Sequence, residues 1–271
     1  MRIFIPTLNR GPEMQFTIRE LGPKLVKKYG VTVVCPVKEV KSFEGHPALL
    51  GARVRGCSAK GIAATRQSIL ECSDDPHILM LDDDLSSWSW RDEAEGLDGE
   101  PSVRYRKATE AQRAAGLAEV VKLLRRYGHG SIGHRLFANN RAALDFNTRQ
   151  LRALAYDRDL LKREGIKFRV PVMEDFDVQL QLLKRGHECF QLNRLVQEQR
   201  GSNEEGGCST YRTDDVQRKA AEQLAKLHPD CVTVVTKQQK GNGTMWGTRT
   251  DVKVNWRRAI LAGMEYKNAH R

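Results

Sequence analysis

Two runs of carboxylates hold the chemistry this sequence can offer. Asp82-Asp83-Asp84 follows the apolar run His77-Ile78-Leu79-Met80-Leu81, and Glu174-Asp175-Phe176-Asp177 opens an amphipathic stretch far downstream. A short run that is apolar throughout reads as a strand buried on both faces. Open α/β sheets bind their ligands beyond the C-terminal ends of such strands. Three aspartates in a row exceed what a turn or a helix cap needs. Hard oxygen donors at that place suit a divalent cation and, through it, a phosphorylated substrate. In the second run, acids in a first helical turn stabilise the helix dipole by roughly 0.3–1 kcal/mol each. That explains one or two of them. The remainder point to a carboxylate that removes a proton from an attacking hydroxyl, with Asp177 capping or positioning.

The elements that must position these acids follow from periodicity. Ile3-Phe4-Ile5 and Val31-Thr32-Val33-Val34-Cys35 read as strands around a helix that begins near Pro12 and is kinked or ended at Gly22-Pro23. Strand, helix, strand is a βαβ unit and implies a parallel sheet. A short strand is expected at Val54–Gly56 and a helix over Gly61–Cys72. Leu85–Arg106 reads as a long polar loop, with Trp88 and Trp90 near its start in the core or stacking on sugar or base. Ala111–Tyr127 is a helix ended by Gly128-His129-Gly130, and Ser131–Phe137 and Gly165–Val170 are further strands. His129 and His134 are placed either on a substrate or in surface and capping roles. The helix after Pro171 ends at Lys184-Arg185-Gly186; Asp214–Leu227 is helical, Val232–Val235 a strand, and Lys237–Arg249 flexible, basic and glycine-rich. Arg200–Gly207 reads either as a loop able to cover a bound ligand or as an ordinary surface loop.

The 271 residues are 40% hydrophobic, enough for one large α/β domain. No stretch approaches the roughly 20 apolar residues of a membrane span, and the apolar start at Met1 is too short for a signal peptide, so a cytoplasmic protein is expected. Six scattered cysteines, without a Cys-x-x-Cys pair, argue against a zinc ribbon or a disulfide scaffold. The net charge of +11 favours a polyanionic partner, most plausibly nucleic acid, although a basic enzyme with a small phosphorylated ligand also fits. The segments Lys237–Gly241 and Trp256-Arg257-Arg258 either track phosphates or face solvent. Among enzymes that use carboxylates after a strand are sugar-nucleotide transferases, two-metal nucleases and phosphatases. Phosphatases of the common aspartyl-phosphate type place their acids after the first strand, where this chain has Pro6-Thr7-Leu8-Asn9-Arg10.

The βαβ start, the arginine of Gly61-Ile62-Ala63-Ala64-Thr65-Arg66, the Asp82–Asp84 element and the Glu174-Asp175 helix together resemble the GT-A fold glycosyltransferases. The stretch Val170–Leu183 and the segment Asn203-Glu204-Glu205-Gly206-Gly207-Cys208-Ser209 look like those of the TET-associated glycosyltransferases, phage-type enzymes thought to glycosylate 5-hydroxymethyl pyrimidines in DNA. The resemblance implies an α/β fold of GT-A type, a Rossmann-like, mostly parallel sheet flanked by helices. It implies one domain over residues 1–271, with a nucleotide-sugar-binding half (1–110) and an acceptor-binding half (111–271) that ends in a basic segment. By the same resemblance Thr7, Asn9 and Arg10 cradle the nucleotide, Arg66 lies near it, Asp82 and Asp83 contact the donor, and Asp82 and Asp84 hold Mn²⁺ or Mg²⁺. Asp175, or else Glu174, is the acceptor base of an inverting transfer. The implied donor is a nucleotide sugar, with a UDP-sugar expected, and the implied acceptor is 5-hydroxymethylcytosine in DNA. Alternatives are a GT-A transferase acting on a saccharide, lipid or protein, a metal-dependent nuclease, and an inactive DNA-binding module. The C-terminal histidine that many GT-A enzymes give to the metal has no persuasive counterpart in His228 or His270, which leaves the third ligand open.

Overall fold

A computed structural model describes residues 1–95, 101–199, 206–238 and 247–270. The strands are β1 (Arg2–Pro6), β2 (Thr32–Pro36), β3 (Arg53–Cys57), β4 (His77–Leu81), β5 (Leu85–Glu95), β6 (Pro101–Lys107), β7 (His129–His134), β8 (Leu144–Phe146), β9 (Ala153–Asp157), β10 (Phe190–Gln199), β11 (Val232–Gln238) and β12 (Thr248–Val254). The helices are α1 (Phe16–Lys28), α2 (Val40–Phe43), α3 (Ile62–Cys72), α4 (Glu110–Tyr127), α5 (Arg135–Ala138), α6 (Arg158–Arg163), α7 (Glu174–Lys184), α8 (Asp214–Leu227) and α9 (Trp256–Ala269).

Ten strands form one sheet in the order β3-β2-β1-β4-β9-β7-β10-β5-β6, with β8 alongside β10. The first four are parallel; β9 runs antiparallel to β4 and β7, and β10 is again parallel to β7. Alternation along each central strand builds two cores. Ile3, Ile5, Leu79, Leu81, Ala153 and Ala155 face the side covered by α1 and α4. Phe4, Ile78, Met80, Leu154 and Tyr156 face the side covered by α3, α6 and α7. This double burial is why β1 and β4 read as continuous apolar runs. A third core joins α7, α8 and α9 to the β11–β12 hairpin, with Trp256 stacked on Phe176 at 5.8 Å. Among the described residues no helix is long and apolar enough to cross a membrane.

Several expectations need correction. Leu85–Arg106 is not a loop: β5 and β6 form an antiparallel ribbon along β10. A register shift between Glu198 and Gln199, opposite Leu85 and Ser87, moves the burial pattern by one residue. Leu85 and Trp88 are therefore both buried, which places Trp88 in the core while Trp90 is half-buried. Gly165–Val170 keeps its alternation, with Ile166, Phe168 and Val170 buried, but pairs with side chains instead of a strand. The Phe168 N–H donates to Gln67 Oε1 (3.1 Å), Gln181 Nε2 to the Lys167 carbonyl (2.8 Å) and the Arg169 N–H to Asp177 Oδ2 (3.2 Å). Ser131–Phe137 is strand only to His134, whose Nδ1 accepts the Leu136 N–H and starts α5. Lys237, Gln238, Thr248 and Arg249 are paired in the β11–β12 hairpin instead of lying in a flexible segment; residues 239–246 fall outside the described residues.

Other expectations hold locally. Gly128, at φ 76, ends α4 with its N–H on the Leu124 carbonyl. Gly22, at φ 76, kinks α1 ahead of Pro23. Cys35, Cys57, Cys189 and Cys231 are buried thiols and Cys72 is exposed.

Candidate active site

The C-terminal ends of β1 and β4 open onto a cleft of roughly 1360 Å³. Asp82, Asp83, Asp84, Glu174 and Asp175 line it, together with Thr7, Arg10, Arg66, Arg149 and Arg152. Asn9 lies beside it, exposed, with its backbone in the left-handed region (φ 54).

The turn carrying the aspartates is fastened from α1. Thr17 donates its hydroxyl to the Asp82 carbonyl (2.5 Å), accepts the Leu85 N–H (3.0 Å) and donates its own N–H to the Asp83 carbonyl (3.2 Å). Each aspartate then meets a different environment. Asp83 is buried; it accepts the Thr7 hydroxyl at 2.5 Å and pairs with Arg10, while Gln15 donates to Thr7 (3.0 Å). Burial pushes the Asp83 carboxyl up to about 7 despite Arg10. Asp82 accepts Arg66 Nη2 at 2.9 Å, and burial raises it to about 6 against the same arginine. Asp84 accepts Arg10 at Oδ2 (3.0 Å), but its buried Oδ1 has no partner among the described residues. An orphaned buried acceptor costs about 1–3 kcal/mol. It is therefore the atom that a bound cation would satisfy best.

The second run is divided in the same way. Arg66 of α3 bridges the clusters, with Nη1 on Glu174 Oε1 at 2.6 Å and Nη2 on Asp82. Burial disfavours its charge, but the fields of Glu174 and Asp82 hold it firmly protonated. Burial pushes Glu174 up to about 7 against the pull of Arg66. Asp175 is half-buried; its Oδ1 takes the Phe176 N–H (3.0 Å), and its carboxylate faces the cleft without an ion pair among the described residues. Asp177 lies outside the cleft lining and is fully buried on Arg169, Gln181 (3.0 Å) and His228 (2.9 Å). Burial opposes its ionisation, yet the hydrogen bonds from His228 and Arg169 hold it below the usual range. His228 is thus a partner of Asp177.

The first loop is braced by the chain that returns after β10. The Gly207 N–H donates to the Leu8 carbonyl (2.8 Å), and a Cβ on Gly206 would meet Arg10 Cγ at 2.5 Å and the Asn9 carbonyl at 3.0 Å. Residues 200–205, which carry most of the expected covering loop and part of the Asn203–Ser209 segment, lie outside the described residues. His129 is buried against the His187 carbonyl (3.2 Å), and burial lowers it to about 4. His134 caps α5 and is likewise lowered to about 4, by burial and then by nearby Arg152.

Sequence reasoning missed Arg152. Its φ of 65 is left-handed, and the Ala153 N–H closes onto the Leu151 carbonyl at 2.7 Å, a strained three-residue turn. The Arg152 carbonyl accepts the Asp82 N–H (3.0 Å), which aims the side chain into the cleft. Nη1 is buried without a partner among the described residues, with Asp82, Asp84 and Asp175 in its field. Strain of this kind gathers at functional sites. The signal was tertiary, because nothing in Gln150-Leu151-Arg152 marks it. Among the described residues nine lysines and arginines line the cleft against five carboxylates, so its balance suits a polyphosphate.

A large three-layer α/β sheet with an acid-bearing, cation-rich cleft at its C-terminal edge is the architecture of GT-A glycosyltransferases, and solved structures share it. S. aureus TarS 1-349 in complex with UDP-GlcNAc is 11% identical with a TM-score of 0.52, covering 100% of this chain and 72% of that one. Mannosyltransferase PcManGT from Pyrobaculum calidifontis, in complex with GDP-Man and Mn²⁺, is 17% identical with a TM-score of 0.51, covering 83% of this chain and 62% of that one. Glucosyl-3-phosphoglycerate synthase from Mycobacterium tuberculosis, solved with Mn²⁺, UDP-Glc and phosphoglyceric acid, is 12% identical with a TM-score of 0.52, covering 86% and 83%. At these identities the likeness is one of fold. The profile of the TET-associated glycosyltransferases matches residues 1–207, and the chain belongs to that family. It is a glycosyltransferase. No curated protein sequence matches it.

Proposed function

We propose that this enzyme transfers a sugar from a nucleotide-diphosphate donor, with UDP favoured, onto the hydroxymethyl oxygen of 5-hydroxymethylcytosine in DNA. The observation that carries the reading is the division of acids around one cation-rich cleft. Asp84 offers an unpartnered oxygen, and Asp175 offers a carboxylate outside any ion pair among the described residues. Family membership and the charge of +11 support DNA as acceptor.

Asp84 Oδ1 and the outer oxygen of Asp82 fit Mn²⁺ or Mg²⁺. Among the described residues no three His, Cys, Asp or Glu side chains converge on one point, so one or two carboxylates would hold the ion and the diphosphate would complete its shell. A cation there supplies Lewis-acid neutralisation of the departing diphosphate. Thr7 and Arg10, locked by Asp83, shape the nucleotide pocket beside Asn9. Arg66 ties Asp82 to Glu174, and so holds the donor half (1–110) to the acceptor half (111–271). Arg152 faces the leaving phosphates. Asp175 takes the proton of the attacking hydroxyl as the oxygen closes on the anomeric carbon and the nucleoside diphosphate leaves, with inversion. Glu174 is the poorer base, because Arg66 already occupies it. Three converging carboxylates, the mark of a two-metal nuclease, are not found among the described residues.

The test is intact-mass spectrometry of a duplex containing 5-hydroxymethylcytosine, incubated with enzyme, Mn²⁺ and a panel of nucleotide sugars. A gain of one sugar on the modified strand alone is expected. Release of nucleoside diphosphate without any gain would remove DNA as acceptor, and shortened strands would favour the nuclease.

A further inference from the structure

Strand β7 ends at the rim of the cleft. Its Ser131 pairs with Leu154 of β9, two residues beyond Arg152, and its His134 pairs with Gln197 of β10. The chain then makes the single turn of α5 and presents Leu136 and Phe137 to solvent, 71% and 55% exposed, while Ala138 behind them is fully buried. The turn is built to hold them there. The His134 ring accepts the Leu136 N–H at 3.1 Å and lies 5.4 Å from the Phe137 ring. Arg135 packs over the Tyr105 ring at 4.7 Å, and the Tyr105 hydroxyl donates to the Asn193 carbonyl at 2.8 Å.

The setting of these two side chains is basic. Residues 131–152 contain Arg135, Arg141, Arg149 and Arg152 against the single acid Asp145, which already pairs with Arg141 at 3.2 Å. A small apolar knuckle on an arginine-rich stretch of chain matches a partner whose surface is anionic and whose interior is apolar and stacked. A nucleic-acid duplex has that character: arginines meet phosphates, and apolar side chains part base steps.

We infer that Leu136 and Phe137 form a wedge that enters the base stack of an acceptor duplex and fills the place of an extruded nucleotide. The inference rests on the reading of DNA as acceptor. A base inside a duplex cannot reach Asp175, and extruding it costs a few kcal/mol. A side chain that takes the vacated position offsets part of that cost, and the wedge stands at the rim past which the base must swing. Neither residue lines the cleft, so the wedge does not touch the donor.

The test compares transfer to 5-hydroxymethylcytosine in a duplex, in the same strand alone and opposite an abasic site, for the wild-type enzyme, Phe137→Ala and Leu136→Ala. Phe137→Ala is expected to slow duplex modification about tenfold while single-strand modification stays within about twofold, since only the duplex must be opened. The abasic duplex should recover most of the loss. A 2-aminopurine beside the target should brighten when wild-type enzyme binds and stay dim with Phe137→Ala. Equal losses on both strands, or none on either, overturn the wedge and leave the acceptor reading standing. A wild-type dimer that Phe137→Ala converts to a monomer in sedimentation would make the patch a contact between copies and also overturn it. Wild-type enzyme that modifies no DNA removes the acceptor reading and the wedge together.

Discussion

Asp83 and Asp177, one from each acidic run, are both absorbed by the protein, whereas Asp84 and Asp175 each keep an oxygen without a partner among the described residues. Asp83 is held by Thr7 and Arg10, and Asp177 by Arg169, Gln181 and His228. Asp84 retains an unpartnered Oδ1, and Asp175 holds only the neighbouring Phe176 N–H among the described residues. The residue type is the same in all four. What differs is the number of donors that each carboxylate meets once its backbone is placed. Each run therefore contains an acid that fixes the turn or helix and an acid that it presents.

The comparison breaks most sharply at the presented acids. Asp175→Asn should lower kcat by roughly 10²- to 10⁴-fold, the range of general-base removal, with an unchanged melting temperature. A substantial loss of stability instead would place Asp175 with the structural acids. Asp177→Ala should do the reverse. It takes a buried carboxylate away from Arg169, Gln181 and His228 and costs about 3 kcal/mol, the low end for a broken buried pair because Arg169 can turn to water. Urea unfolding measures this directly. Arg152→Ala should weaken nucleoside diphosphate binding about tenfold and leave nucleoside binding alone, as removal of one charge-assisted phosphate contact would. Equal weakening of both by calorimetry would argue for a general collapse of the strained turn.

The two absorbed acids should also differ in pH dependence, the smallest of these effects. Asp83 keeps its proton to about pH 7 in the folded chain and loses it near 3.8 when unfolded. The folded state therefore binds more protons between those values, and stability falls as pH rises through that window. Asp177 is depressed below 3.8, so its contribution is present above that value and is lost as pH falls through the lower folded pKa. Asp83→Asn should flatten the profile between about pH 4 and 7, and Asp177→Asn only its acid limb. Melting temperatures across pH for the two variants check the sign of each.

Both acidic runs were legible in the sequence because each is contiguous and next to a strongly patterned element. Strands β1, β2 and β4 were legible for the same reason. Strand β10 was not, because its buried face includes Gln191, Asn193 and Gln197, polar residues whose burial no hydrophobic pattern announces. Strand β9, Ala153–Asp157, is short and alanine-rich, and pairing on both edges overrides its low β propensity. The Trp88 and Trp90 alternation did mark β5, but Ser86, Ser87 and Ser89 gave the segment the look of a loop. Asp177 could not be told from Asp175 by sequence, since its partners Arg169 and His228 arrive from other elements.

The most direct test of the division between presented acids is calorimetric titration of a UDP-sugar, with and without Mn²⁺, into Asp84→Asn and Asp175→Asn. The account predicts that Asp84→Asn loses the Mn²⁺-dependent part of donor binding. It predicts that Asp175→Asn binds the donor as the wild type does, yet transfers no sugar. Donor binding lost in a folded Asp175→Asn, or unchanged Mn²⁺ dependence in Asp84→Asn, would contradict it.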